Sequence, residues 1–407
     1  MPGRGAYLYQ QLRERVLQTA RTRALPLAAA YRKSQRETRF IGVTGSCGKT
    51  TTKFLIQAVL ASRHSGVASP LGRNREGGML RTIFRVRHHH RFCLIELGAF
   101  GPGTLDPLLR TMKPEVGVVT NVGSDHLSAF GSVEEVAREK GKLTKSLPCS
   151  GWAILNGDDP RVRQMAADSE ASVLFYGCGQ GNELTAKDVS SRWPERLSFS
   201  VTHEGRDLRV HTRLCGEQWV YAVLAALAVG LTMGIPLDEG IEAVANVAPF
   251  ARRVQPFMVG RGIAWIRDDW KASSWTVPLA LKFLGDARAR RRIFALGHVS
   301  DDRMKPRRLY PRFAREARQV ADQVCLFGKW AHHGLRARAG DEDPSILAFP
   351  SATALVRYLE KTLEPGDLLY VKASGRKDPT IDTAFSGVFW EAAISGPQPC
   401  GDSRDTG

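Results

Sequence analysis

One stretch, Phe40 to Thr52 (FIGVTGSCGKTTT), constrains this chain more than any other. A short apolar run, Phe40-Ile41-Gly42-Val43, enters a glycine-bearing turn, and an amphipathic run leaves it from Thr51 to Ser62. Strand, turn and helix in that order aim backbone N–H groups and the positive end of a helix dipole at phosphate oxygens, with a lysine to neutralise the outer ones. Thr44, Gly45, Ser46, Cys47, Gly48, Lys49, Thr50 and Thr51 are therefore the expected phosphate cradle, and the Thr50 hydroxyl is placed to ligate Mg2+. The strict Gly-x4-Gly-Lys-Thr spacing is not met, because Val43 stands at its first glycine position. The competing reading is a strand-to-helix connection that holds no ligand.

At 407 residues the chain exceeds one ordinary core and implies two or three domains. With 43% hydrophobic and 24% charged residues it is no disordered polymer. The formal charge of +17 would attract polyanions, either nucleic acid or phosphorylated small molecules. The arginine run Arg288-Ala289-Arg290-Arg291-Arg292 lacks the interleaved aromatics that stack bases, so it reads as a solvated turn and nucleic acid is not the expected partner. Seven cysteines without a Cys-x-x-Cys pair imply a reducing cytoplasm. Residues 1–39 are rich in arginine and have no apolar h-region, which excludes a secretory signal. Trp219 to Ile235 carries no charge, but it is short for a membrane span and stops at Pro236, so it reads as a buried helix.

Beyond a basic helical extension over 1–39, strands alternate with helices: strands at Phe40–Val43, Phe92–Leu97, Val116–Thr120, Ala153–Leu155 and Val173–Tyr176, helices after the loop and at Gly103–Met112 and Val133–Lys145. That alternation predicts a mostly parallel α/β sheet, whose ligands lie beyond the carboxyl ends of the strands. An antiparallel pair is expected within Leu197–Arg213, followed by helices over 219–234 and Leu237–Val247. A second alternation starts near Gly262, and the tail after Pro397 is expected to be disordered.

Three residues beyond the loop carry candidate chemistry. Ser132-Val133-Glu134-Glu135 is a capping box, and on the helix it starts Val133, Val136, Ala137 and Lys140 share a face. Lys140 is then either an ammonium on the inward stripe or a lysine reaching from its edge to solvent. Glu96, closing an apolar strand, is either a Mg2+ ligand or a sheet-edge carboxylate. His126, in Thr120-Asn121-Val122-Gly123-Ser124-Asp125-His126, is either a metal ligand or a loop histidine. His88-His89-His90 reads as an exposed turn.

Glu96-Leu97-Gly98-Ala99-Phe100-Gly101-Pro102-Gly103, the Lys113-to-Leu127 run, Phe130-Gly131-Ser132 to Lys140, and Ala153-Ile154-Leu155-Asn156-Gly157-Asp158-Asp159-Pro160 together resemble the Mur ligase family. Within it they are most similar to the UDP-N-acetylmuramoyl-tripeptide:D-alanyl-D-alanine ligase branch. The likeness runs from Phe40 to Phe389 and is strongest over 40–160. It implies an ATPase central domain over 40–255 and a Rossmann-like α/β domain over 256–396, with a tail at 397–407. It also implies an ATP-dependent carboxylate-amine ligase acting on small molecules through an acyl phosphate. Lys49 would hold the transferring phosphate, Thr50 and Glu96 a first Mg2+, and His126 and Lys140 a second, Lys140 as the family's carbamylated lysine. Asn74 resembles the asparagine near that phosphate; Arg253, Asp268 and Asp269 resemble nucleotide contacts.

The chain departs from the pattern in three places. Gln218-Trp219-Val220-Tyr221-Ala222 stands where the family reads adenine with His-Asn-x-x-Asn. Asp268-Asp269-Trp270-Lys271-Ala272 and Lys372-Ala373-Ser374-Gly375-Arg376 differ where the amino substrate would bind. The UDP-gripping domain that precedes the ATPase domain in cell-wall members has no counterpart in residues 1–39, which leaves the substrate open. The alternative to a ligase is a nucleotide-binding regulatory or assembly subunit that has lost catalysis.

Overall fold

A computed structural model describes residues 23–259, 262–300, 304–341, 343–375 and 380–389. The expected tail at 397–407, Arg376 and most of the basic extension lie outside them. Contacts divide the chain into two compact units, the first made of residues up to Asp188 with Phe199–Val210 and Val220–Ala245. The second begins at Asn246 and also takes Val189–Ser198 and His211–Trp219, which the pattern of strands and helices had assigned to the first.

The first unit opens with helix α1 (23–34), the described end of the basic extension. It is docked: Ala28 is buried in the core, and the Tyr31 hydroxyl donates to the Val86 carbonyl at 2.7 Å. Arg32 donates to the carbonyls of Met112 and Lys113, both at 2.8 Å, and pairs with Glu115. Those carbonyls end a helix and would otherwise need water or another cap.

The sheet order is β2-β3-β1-β4-β5-β6-β7-β8-β9, with β1 Arg39–Thr44, β2 Gly66–Ala68, β3 Phe92–Glu96, β4 Val116–Val119, β5 Trp152–Asn156, β6 Ser172–Gly177, β7 Leu184–Ser190, β8 Ser198–His203 and β9 Arg206–His211. Every pairing from β2 across to β7 is parallel. Strands β1, β3, β4 and β5 carry nearly unbroken apolar sequence because both their faces are covered. One face packs on α1, α3 (Glu76–Phe84), α4 (Asp106–Met112), α6 (Val133–Lys145) and α7 (Pro160–Gln164). Helices α2 (Lys49–Ala61), α8 (Val220–Thr232) and α9 (Leu237–Ala245) pack as a second group, with α8 against β5 and β6.

The segment without charge is thus a core helix of 13 residues, and no described helix is long and apolar enough to cross a membrane. Helix α6 starts at Ser132, whose hydroxyl accepts from the Glu135 amide at 3.2 Å. The Glu135 carboxylate turns to Arg138 instead of back to Ser132, so half of the capping box forms.

In the second unit the sheet order is β10-β11-β15-β12-β13-β14, with β10 Gln255–Val259, β11 Ile263–Asp268, β12 Arg291–Leu296, β13 Gln323–Phe327, β14 Ile346–Phe349 and β15 Asp367–Lys372. Only β10 runs antiparallel; the other five strands put their carboxyl ends on one edge.

Candidate active site

The loop after β1 is held by the end of β4. The Ser46 amide donates to the Asn121 carbonyl at 2.9 Å, and the Cys47 amide to the Asn121 side-chain oxygen at 2.9 Å. The Thr120 hydroxyl donates to the Cys47 carbonyl at 2.7 Å. Gly45, at φ 147°, lies so close that a Cβ there would overlap the Thr120 hydroxyl. Helix α2 then begins at Gly48 in the left-handed region, with no side-chain cap and no acidic residue in its first turn.

This first turn leaves N–H groups uncapped, and the Thr51 hydroxyl is buried with no protein hydrogen-bond partner. Both features fit a bound phosphate, which supplies acceptors to a helix N-terminus. Lys49 extends over the loop, donating to the Gly45 and Ser46 carbonyls and lying 3.9 Å from Asp125.

Glu96 ends β3 beside this loop, 2% exposed. One carboxylate oxygen accepts from the Thr50 hydroxyl at 2.9 Å and the other from the Asn74 amide at 3.1 Å, while its backbone amide donates to Ser69 Oγ at 3.0 Å. A buried carboxylate needs such donors. Lys140 is entirely buried on the inward face of α6, and its Nζ donates to the Gly45 carbonyl at 3.1 Å. His126 sits just before α5 (Leu127–Phe130) in the left-handed region, its ring 5.1 Å from that of Phe100 and its Nε2 3.6 Å from Asp125.

The structure therefore gathers Lys49, Thr50, Asn74, Glu96 and Lys140 around one loop and ties His126 to it through Asp125. Among the described residues no three His, Cys, Asp or Glu side chains converge on a ready metal centre. The expected ligand set Thr50, Glu96, His126 and Lys140 thus needs more than the side chains as they stand: a hard cation here would draw on Thr50, Glu96 and nucleotide oxygens. Asp125, Asn121 and Ser69 are site residues to which pattern reading gave no role. Ser69 and Asn121 lie just after the ends of β2 and β4, which was the available signal, whereas Asp125 lies further along the loop that leads to α5.

Arg253, Asp268 and Asp269 lie in the second unit. Asp269, fully buried, is held by Arg252 at 2.8 Å and Arg267 at 3.1 Å, and both arginines also pair with Asp382. Asp268 accepts from Lys372 at 2.5 Å and from the Tyr370 hydroxyl at 3.0 Å. Burial, with Asp268 second, pushes the Tyr370 phenol well up from its ordinary range. Arg252, not Arg253, pairs with Asp269; Arg253 lies 4.7 Å over the Trp270 ring. Both carboxylates are thus engaged inside the unit, and contact with a nucleotide would require sharing these partners. Of the string replacing the adenine motif, Trp219 is buried and Tyr221 packs by Asp158 and Cys178, its phenol raised chiefly by burial.

Residues 43–230 match the Mur ligase middle domain. A UDP-N-acetylmuramoyl-tripeptide--D-alanyl-D-alanine ligase of Mycobacterium bovis is 30% identical over 357 residues, 82% of this chain and 70% of that protein. The chain belongs to the Mur ligase family. A ligase of the same description from Bacillus subtilis is 27% identical over 86% of this chain and 75% of that one. Among solved Mur ligases, MurF of Acinetobacter baumannii shares the fold at a TM-score of 0.79 and 20% identity, covering 89% of this chain and 80% of that chain. MurF of Thermotoga maritima, solved with ADP, does so at 0.77 and 21%, covering 91% and 84%.

Proposed function

We propose that the chain is an ATP-dependent ligase that joins a carboxylate to an amine, giving ADP, phosphate and an amide by way of an acyl phosphate. What supports it most is the hydrogen-bonded array Asn74–Glu96–Thr50 beside the uncapped first turn of α2, with Lys140 and Lys49 on the Gly45 carbonyl. Nucleotide binding alone needs only the loop. A buried carboxylate and a buried lysine at its mouth serve phosphoryl transfer, where charge must be balanced between two anions. That favours a catalyst over a regulatory subunit.

The loop amides and Lys49 would hold the phosphates. Thr50 and Glu96 would hold Mg2+, which supplies Lewis-acid stabilisation of phosphate charge. Asn74 orients the Glu96 carboxylate, so its oxygens keep a fixed direction. Lys140 would take up CO2 on its neutral amine with release of a proton; the remaining N–H could still donate to the Gly45 carbonyl, and the new carboxylate would offer an oxygen, with His126, to hold a second Mg2+. The acid and amine are those of the curated relatives or close in kind, UDP-N-acetylmuramoyl-tripeptide and D-alanyl-D-alanine, and the setting is the cytoplasm, where ATP is available.

The test is phosphate release and product mass with ATP, Mg2+ and bicarbonate, first with that pair and then with pools of other acids and amines. Release that depends on both an acid and an amine is expected. Normal ADP binding with no such release from any pool would instead select the regulatory subunit.

A further inference from the structure

Helix α1 and the turn that follows α3 meet at the amino ends of β1 and β3. The Tyr31 hydroxyl holds the Val86 carbonyl, the Tyr31 and Phe84 rings lie 5.8 Å apart, and the Thr38 hydroxyl donates to the His90 carbonyl at 2.7 Å. The turn itself is fixed. The Arg87 amide donates to His90 Nδ1 at 3.0 Å, and the Ser65 hydroxyl to the His89 carbonyl at 2.8 Å.

Across residues 23–39 and 81–91 eight lysines and arginines are exposed, against one acid, Glu37, which Arg91 pairs. The sequence running into α1 adds Arg4, Arg13, Arg15 and Arg21 against Glu14. A rigid surface of one sign attracts a dense array of anions.

Two large apolar side chains stand in the same patch and indicate which array. Leu27, one helical turn before Tyr31, is 67% exposed, and Phe84, at the end of α3 beside Arg81 and Arg85, is 41% exposed. A phosphodiester backbone gives a leucine nothing to enter. Phe84, with Tyr31 tilted across it at 47°, is a poor platform for a stacked base. A bilayer meets both needs, with anionic headgroups for the cations and an acyl boundary for the apolar tips.

The patch also lies on the opposite edge of the sheet from the phosphate loop. That loop, Glu96 and Asn121 stand at the carboxyl ends of β1, β3 and β4, whereas Arg39, Arg91 and the turn after α3 stand at amino ends. Docking through the basic edge leaves the loop open.

We propose that this edge of the first unit docks on an anionic phospholipid surface, with Arg81, Arg85 and Arg87 on headgroups and Leu27 and Phe84 at the acyl boundary.

The test is sedimentation of the full chain with two kinds of vesicle, phosphatidylcholine alone and equal parts phosphatidylcholine and phosphatidylglycerol, at low and high salt. Binding should be about tenfold or more tighter to the anionic vesicles and should weaken with salt. Arg81→Gln combined with Arg85→Gln should weaken it about twentyfold, since each basic side chain at such a surface contributes about fivefold. Leu27→Ser should cost about threefold at either salt, an apolar loss that ions do not screen. Arg206→Gln combined with Arg209→Gln removes the same charge from β9, at the far edge of the sheet, and should change binding by less than about twofold. All the substituted side chains are exposed, which keeps folding out of the comparison. ADP affinity should be the same in every variant and with vesicles present. No preference for anionic vesicles, unchanged binding of the Arg81 and Arg85 variant, or an equal loss in the β9 variant would each overturn the proposal. A single-stranded RNA oligonucleotide bound more tightly than the vesicles, with Leu27→Ser silent on both, would overturn it in favour of nucleic acid.

Discussion

Replacing Lys140 with methionine separates chemistry from folding. The side chain is fully buried, and its Nζ donates to the Gly45 carbonyl at 3.1 Å. Losing that donor removes about 0.5–1.5 kcal/mol. Two features offset this. The Gly45 carbonyl also accepts from Lys49, so the change orphans no acceptor at that position. Methionine, similar in volume and apolar, no longer buries an ionisable head, whose desolvation is worth several kcal/mol. Folding stability should therefore stay within about 2 kcal/mol of wild type.

Turnover should behave differently. If Lys140 supplies a ligand or charge to the transferring phosphate, its loss should cost at least about 3 kcal/mol of transition-state stabilisation, roughly a hundredfold or more in rate. The assay is ADP formation with saturating substrates, beside urea denaturation and ADP titration on the same preparations. A variant that keeps more than about a tenth of wild-type turnover would refute the catalytic role. ADP affinity falling in step with turnover would show instead that Lys140 only supports the loop. Restored turnover of Lys140→Ala on adding a short carboxylic acid would point to the carbamate.

Other outcomes follow from the same geometry. Gly45→Ala should push the loop off Thr120 and weaken ADP binding by about tenfold or more, through overlap and left-handed strain of about 1–3 kcal/mol; unchanged ADP titration would count against the loop as the phosphate site. Asp269→Asn should leave Arg252 and Arg267 without their buried counter-charge and cost about 3–5 kcal/mol in denaturation, and a loss under about 1 kcal/mol would contradict the pairing. Asp343, held down to about 2 by the Ser345 hydroxyl, the Ala339 and Ser345 amides and Arg318, has a folded pKa below its unfolded one. Its contribution is therefore present above about pH 4 and is lost as pH falls toward 2, so the melting temperature of Asp343→Asn should fall less steeply over that range than that of wild type.

Much of the candidate site was legible along the chain because each part lies on a single element, at a strand end or on a helix face, whose pattern is local. The loop at 44–51, Glu96 and the face of α6 that carries Lys140 all follow from periodicity and capping. The short strands β2 and β14 escaped because three or four residues carry no period, and β7 because a polar edge gives a weak one. Asp125 escaped because nothing in a loop sequence says which way a carboxylate turns.

By itself the sequence determined a β-loop-α nucleotide fold, the parallel sheet around it and the family likeness, since these rest on short-range geometry and on ordered motifs. Only the tertiary structure decided that Lys140 is fully buried and aimed at the Gly45 carbonyl, and that Glu96 is shared between Thr50 and Asn74. Those contacts join residues 22 to 95 positions apart, and chain entropy leaves such pairings to the packing of the whole sheet.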